Sequence, residues 1–268
     1  MQSPNSKRFE SRIPDACTTM KKNWVSISFL GLFFLLIYSC KKTEKLNIAT
    51  VHDYYPMSVG KYITYQLDST VFLDFGTIEE VQSYQLEDIV DAQSTDNSGR
   101  ISYRIRRMIS ASAGQNPWSD LASYLVTPLD HSVEIVDDNF RYIKLSDPIS
   151  EGFNWKGNAY ISIISEDPNW DYRYLDDWDY TYANVNQPYT VNGITIDSSV
   201  TINQRDEIVG YPDIDTLYSE RNYSVEIYAK GIGLSFKDFL HWEYQPATPG
   251  KLAEKKGYGI RLNIIDHN

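Results

Sequence analysis

Acidic and aromatic side chains alternate densely in the stretch SEDPNWDYRYLDDWDYTY, between Ser165 and Tyr182. Carboxylates can bind hard cations or sugar hydroxyl groups, and flat aromatic rings can stack on the apolar faces of sugars. A third interpretation is structural, because acids that alternate with packed rings discourage edge-to-edge aggregation of a strand. The residues alone leave all three interpretations open.

The cation interpretation depends on the spacing Asp167-x-Asn169-x-Asp171, which matches the first ligands of an EF-hand calcium loop. The match then fails, because the sixth position, which needs glycine, is Tyr172. The twelfth position, which needs a bidentate glutamate, is Trp178. We therefore predict no metal site.

The carbohydrate interpretation places a ligand against the aromatic rings of this stretch. Its candidate binding residues are Trp170, Tyr172, Trp178, Asp167, Asp171 and Asp177. In an extended strand the rings of Trp170 and Trp178 would lie on one face, about 27 Å apart, unless a turn at Leu175-Asp176-Asp177 folds them together. We expect both tryptophans to be partly exposed.

The known enzyme motifs that we sought are missing. The chain has no G-x-S-x-G elbow, no H-E-x-x-H and no phosphate-binding G-x-x-x-x-G-K-[ST]. Its histidines lack ligand spacing: His52, His131, His241 and His267. Carboxylates occur in pairs at Asp137-Asp138, at Asp176-Asp177, and at Asp213 and Asp215. A glycosidase needs only such a pair, but 36 acidic residues produce pairs by chance. We predict no catalytic residue and no cofactor.

An export signal lies near the beginning of the chain. Lys21 and Lys22 precede an uncharged run of 16 residues, 24–39, which is shorter than the ~20 residues of a membrane-spanning helix. The run ends in Ile37-Tyr38-Ser39-Cys40, which resembles the lipobox of bacterial lipoproteins, although Tyr38 is larger than usual there. An uncleaved signal anchor is the alternative. We predict cleavage before Cys40 and lipid attachment to its thiol.

The signal defines the layout of the chain. Residues 1–19 precede a second methionine, Met20, that stands where a signal peptide should start, so we expect them to lie upstream of the true start. The signal peptide then covers 20–39, a lipidated tether 40–52, and a single β-rich domain 53–268. With Cys40 consumed by lipid, this layout leaves no cysteine pair for a disulfide.

Charge excludes one class of partner. Removing residues 1–39 removes two of the 36 acids and five of the 25 bases, which leaves 34 against 20 and a net charge of −14. Nucleic-acid binding needs Lys and Arg to neutralise phosphates, so we exclude it. An acidic surface is also repelled by anionic lipids, so membrane attachment must come from the lipid on Cys40.

Composition and alternation predict an all-β fold. The chain has 21 Tyr, 10 Phe and 6 Trp, which suit half-buried pleated surfaces. Period-two sets recur, and they include Ile101, Tyr103 and Ile105; Tyr223, Val225 and Ile227; and Ile260, Leu262 and Ile264. Asn192-Gly193 predicts a hairpin turn, and we interpret 76–93 as extended. We predict an antiparallel sandwich or (half-)barrel of roughly ten to twelve strands.

Two six-residue segments, referred to below as phrases, carry a resemblance to a known family. The chain has Tyr55-Pro56-Met57-Ser58-Val59-Gly60 early and Tyr228-Ala229-Lys230-Gly231-Ile232-Gly233 late. In these phrases it resembles small uncharacterised lipoproteins of the Bacteroidota cell envelope. The resemblance implies a place in the cell envelope, with the outer membrane as the expected site of anchoring, and it implies no activity. Structurally, the glycines of both phrases are expected at turns.

These observations predict a non-catalytic cell-envelope lipoprotein that binds a ligand, such as a glycan, or an envelope protein. Two alternatives stay open. One is a glycan-processing hydrolase that uses paired carboxylates. The other is a lipid-carrying half-barrel, which requires an apolar concavity where a sandwich has a filled core.

Overall fold

A computed structural model of the chain describes residues 49–111, 117–163 and 170–268. They form a short helix, α1 (Val51–Tyr54), two short 3₁₀ helices (Asp74–Gly76 and Trp170–Leu175) and twelve strands. The strands are β1 (Tyr62–Leu73), β2 (Ile78–Thr95), β3 (Ile101–Ser110), β4 (Ser119–Leu129), β5 (Ser132–Asp137), β6 (Phe140–Ser146), β7 (Asn154–Lys156), β8 (Asp179–Val191), β9 (Ile194–Gly210), β10 (Ser219–Ala229), β11 (Gly233–Gln245) and β12 (Glu254–His267). Within these ranges, every helix is too short or too polar to cross a membrane.

All twelve strands belong to one antiparallel sheet, in the order β6-β5-β4-β3-β2-β1-β12-β11-β10-β9-β8-β7. The edge strands β6 and β7 follow each other in the chain, and they meet. The backbone N–H of Ile143 donates to the carbonyl of Gly157 at 2.8 Å, and the indole N–H of Trp155 donates to the carbonyl of Ile143 at 2.8 Å. The sheet is thus a nearly closed barrel, which confirms the predicted all-β fold and selects the barrel over the sandwich.

Local sequence explains individual elements of the barrel. β2 confirms the extended interpretation for all but the first two residues of the 76–93 stretch, whose frequent Val, Ile and Tyr suit a strand. Asn192 and Gly193 join β8 to β9 with φ angles of 49° and 79°, which are the positive values that a tight hairpin requires. Ile260, Leu262 and Ile264 of β12 face the barrel interior as one alternating set.

One end of the barrel, here called the closed end, is filled by α1. This end carries the β2–β3, β4–β5, β8–β9 and β10–β11 turns. Val51 and Tyr54 are fully buried there. The backbone N–H of Val51 donates to Asp147 Oδ1 at 3.1 Å, and the hydroxyl of Tyr54 donates to Asn186 Oδ1 at 2.7 Å. Val51 and Tyr54 therefore belong to the hydrophobic core of the barrel.

The other end, here called the open end, carries the β1–β2, β3–β4, β5–β6, β9–β10 and β11–β12 turns. Buried apolar side chains fill the barrel near the closed end, where Tyr65, Leu262 and Ile264 pack together. Toward the open end the packing stops, and the inner walls enclose a cavity.

Candidate functional site

The cavity has a volume of about 450 Å³, and eleven of the twelve strands contribute to its walls, β7 being the exception. Much of the surface is aromatic: Tyr124, Tyr142, Tyr180, Tyr228, Phe239 and Tyr258 all line it. Leu67, Leu86 and Ile260 add aliphatic surface. Pockets of about 300–1,000 Å³ with apolar walls and a few polar groups are typical ligand sites.

The polar groups of the cavity centre on Glu226 of β10. Its side chain is 1% exposed. Its Oε1 atom accepts a hydrogen bond from Lys144 Nζ at 2.8 Å, and its Oε2 atom accepts one from the hydroxyl of Tyr228 at 2.8 Å. Burial raises the pKa of Glu226, but Lys144 and Lys237 outweigh that effect and lower the pKa to about 2. Glu226 is therefore a carboxylate at neutral pH.

Lys237 of β11 lies directly across from Glu226 in the strand register. Its ammonium is 3.7 Å from Glu226 Oε1, and no hydrogen bond from Nζ to any described residue is found. Burial lowers the pKa of Lys237, while the charge of Glu226 opposes that shift. The side chain is 27% exposed, and it lines the cavity. Lys237 thus presents an ammonium group with unused donors.

Gln204 of β9 lies next to this group because of a β-bulge. The register between β9 and β10 shifts at Ser224 and Val225, and Gln204 is the extra residue opposite them. Its Oε1 atom accepts a hydrogen bond from Ser224 Oγ at 2.7 Å. Its Nε2 atom is buried and has no partner among the described residues. Bulges often re-aim a side chain next to a functional site.

A second charged group lies on the β2–β5 side of the barrel. Arg107 donates two hydrogen bonds to Asp88, both at 2.8 Å, and the hydroxyl of Tyr124 donates to the same carboxylate at 3.0 Å. Asp137 lies 4.0 Å from Arg107. The charge of Arg107 is therefore already matched by acids.

Residues 170–178, here called the cover segment, fold over the open end. The ring of Tyr172 lies 5.3 Å from that of Phe140 on β6, and Arg173 forms an ion pair with Glu243 on β11. Tyr174 stacks on His241 with ring centroids 3.5 Å apart. The segment therefore bridges opposite walls of the barrel above the cavity.

Two candidate residues from the sequence, Tyr172 and Trp178, line the cavity. Their geometry differs from the extended strand considered above, because a 3₁₀ helix followed by a turn at Asp176 and Asp177 folds the stretch compactly. The expectation that Trp178 is partly exposed is wrong. Trp178 is 2% exposed, and its indole N–H donates to the carbonyl of Tyr174. Apolar burial outweighs solvent contact for so large a ring.

The candidate acids do not join the cavity where they are described. Asp171 is exposed, and Asp177 forms an ion pair with Lys156 at 2.7 Å. Asp167, the side chain of Trp170 and the lipid-attachment residue Cys40 lie outside the described residues. Within the described ranges, no group of three or more His, Cys, Asp or Glu side chains is arranged to hold a metal ion.

Sequence reasoning missed Lys144, Gln204, Glu226 and Lys237. A signal was present in β10, where we noted the apolar set Tyr223, Val225 and Ile227. The intervening polar set faces the cavity: Ser224, Glu226 and Tyr228. A strand whose inward residues are polar indicates a lined interior rather than a filled core.

Comparisons with known proteins add little. Neither a family model nor a curated protein sequence matches the chain. A crystal structure at 2.22 Å of a Bacteroides fragilis protein, inferred to be exported and described as having a YmcC-like fold, is similar with a TM-score of 0.37 and 11% sequence identity. The similarity covers 79% of this chain and 98% of that chain.

Proposed function

We propose that this chain is a cell-envelope lipoprotein, anchored through Cys40, whose barrel binds a small amphipathic molecule without transforming it. The observation that supports the binding role is the cavity of about 450 Å³. Its size suits a small organic ligand, and its aromatic and aliphatic walls would bury an apolar body while a few polar groups orient it.

The proposed cellular location is inferred from the sequence. The run 24–39 and Cys40 have the pattern of a lipoprotein signal, and the mature chain is too acidic for charge-driven adsorption to anionic lipid. Lipid on Cys40 would supply the attachment, with the outer membrane as the proposed location.

The cavity bears on both alternative functions, the lipid-carrying half-barrel and the glycan-processing hydrolase. The lipid-carrying half-barrel requires a concavity, and the barrel has one, so a lipid-like ligand falls within the proposed class. The hydrolase alternative requires two free carboxylates. Asp137 and Asp138 line the cavity, but Asp137 is matched by Arg107. A binding role is therefore the proposal that the contacts support best.

Binding to the cavity can be tested with the neutral fluorophore N-phenyl-1-naphthylamine. The mature chain would carry Cys40→Ser, so that no acyl chain competes for the cavity. We expect saturable binding at one site. Ala122 lines the cavity near the open end, so Ala122→Trp should weaken binding roughly tenfold or more by filling space.

Ser123→Trp is the matched control. Ser123 is the next residue on the same strand, is exposed and is absent from the cavity wall, so this variant should bind the fluorophore as the parent does. A parent chain without saturable binding, or equal effects of the two tryptophan variants, would refute the proposed function.

A further inference from the structure

We propose that the ligand is an amphipathic carboxylate whose head group binds between Lys237 and Gln204, with its apolar body against the aromatic wall. This inference rests on the proposed function and names the chemical class of the ligand. Three neighbouring strands, β9, β10 and β11, supply the head-group site.

Lys237 is not needed as a hydrogen-bond donor to Glu226. Glu226 already receives hydrogen bonds on both carboxylate oxygens, from Lys144 and from Tyr228. Lys237 Nζ lies 3.7 Å from Glu226 Oε1, so its charge attracts Glu226 but it donates no hydrogen bond to it. Two ammonium groups against one carboxylate leave this wall with one surplus positive charge. An ammonium group without a hydrogen-bond acceptor forms its strongest hydrogen bond with an anionic acceptor.

Gln204 is 3% exposed, and its side-chain N–H group has no partner among the described residues. A buried amide N–H without an acceptor costs about 1–3 kcal/mol, and most buried polar groups in folded proteins are paired. The bulge in β9 holds Gln204 beside Ser224, two residues from Glu226 on the same face of β10. Residues paired across strands have Cβ atoms about 4.5–5.5 Å apart. β10 separates β9 from β11, so the backbones of Gln204 and Lys237 lie about 10 Å apart or more, and both side chains line the same cavity. The proposed head-group site is the part of the cavity between these two side chains.

Other charged side chains also line the cavity. Arg107 is matched by Asp88 and by Asp137, so it offers no second anion site. Asp137 and Asp138 also line the cavity, so the surplus positive charge is confined to the wall formed by Lys144, Glu226 and Lys237. Phe239 and Tyr228 lie on the same two strands and also line the cavity, so an apolar body has aromatic surface beside the head-group site.

The test measures displacement of N-phenyl-1-naphthylamine from the mature Cys40→Ser chain by decanoate and by 1-decanol, at pH 7.5. The two molecules share a chain length and differ in the head group. We expect decanoate to bind at least tenfold more tightly. Lys237→Met should remove that preference, because it deletes the charge while Lys144 and Tyr228 still satisfy Glu226. Lys237→Arg should retain it.

Lys230→Met is the control, because Lys230 is exposed in the turn at the closed end. It should bind both molecules as the parent does. Gln204→Leu provides a second variant should Lys237→Met fail to fold, and it should weaken decanoate more than decanol. Equal displacement by the two molecules, or equal weakening of both by the Lys237 and Gln204 variants, would overturn the inference. The proposed function fails separately, if the fluorophore itself does not bind.

Discussion

Glu226 shows how this barrel tolerates charge in its interior. An isolated buried carboxylate carries a desolvation cost of several kcal/mol, which attraction to partners offsets only with good geometry. Here Lys144 and Tyr228 supply that geometry at 2.8 Å each, and Lys237 adds charge at longer range. A filled apolar interior would be the simpler solution for stability. The charged group therefore agrees with the proposed binding role better than with a purely structural interior.

His241 gives a prediction about acid stability. Burial lowers its pKa to about 4, while the charge of Glu220 opposes that shift. Its Nδ1 atom lies 2.7 Å from Asn222 Oδ1, so Nδ1 carries the proton of the neutral ring. Below pH 6.5 the unfolded chain binds a proton that the folded chain does not. The free energy of unfolding is therefore highest above pH 6.5 and decreases as pH falls toward about 4.

We expect the free energy of unfolding, measured in urea, to fall by on the order of 1.5 kcal/mol from this residue between pH 6.5 and pH 5. His241→Asn removes the titrating group and can still donate to Asn222, so its stability should change less over the same range. Glu226 does not interfere, because its shift acts below its ordinary pKa of 4.5. Parallel pH profiles of parent and variant would contradict the assignment.

At the residue scale the sequence predicted only part of the site. Trp178 and Tyr172 were singled out for their aromatic and acidic context, and both line the cavity. Lys144, Glu226 and Lys237 were missed because they lie on three different strands, and β6 is far from β10 and β11 in sequence. A single sequence does not show which charged residues of separate strands will face one another.

At the element scale the strands follow from period-two alternation and from turn chemistry. The hairpin at Asn192-Gly193 forms as predicted, since these residues accept positive φ. The cover segment does not form the strand considered in the sequence analysis. Three of its side chains, Tyr172, Tyr174 and Arg173, each contact a barrel strand, and these tertiary contacts outweigh local alternation.

Two glycines in turns allow conformational strain to be separated from steric overlap. Gly193 and Gly210 have φ angles of 79° and 75°. A Cβ atom on Gly193 would meet nothing within 4 Å, whereas one on Gly210 would lie 2.1 Å from the carbonyl oxygen of Tyr218. Gly193→Ala should therefore lower the free energy of unfolding by about 1–2 kcal/mol, which is the cost of a left-handed backbone conformation alone.

Gly210→Ala should lower the free energy of unfolding by clearly more, because the carbonyl oxygen of Tyr218 must also move. Urea unfolding monitored by tryptophan fluorescence measures both values on the same chain. Similar losses for the two variants would contradict the described geometry of the β9–β10 turn.

At the scale of the whole molecule, composition and alternation predicted the all-β class and the strand number closely. They did not choose between sandwich and barrel. That choice depends on the contact between β6 and β7, where Ile143 meets Gly157 and Trp155. Such closure joins residues across a sheet of twelve strands, and no local pattern in either edge strand encodes it.

Attachment to a membrane is a property of the whole chain and is predicted from Cys40. Cys40→Ser should abolish labelling with a fatty-acid analogue and should leave an uncleaved precursor, because the thiol is the acylated atom. Labelling and precursor size in a lipoprotein-processing bacterial host provide the measurement. Normal processing of the variant would refute the lipoprotein proposal.

The position of α1 at the closed end determines the direction from which the barrel could be loaded. The first described residues, Ala49 and Thr50, lead directly into α1 at this end. The mouth of the cavity then opens a strand length away, and the 12 residues of β1 alone extend over about 40 Å. A ligand that enters the proposed site would therefore pass through the open end, beneath the cover segment, and not past α1.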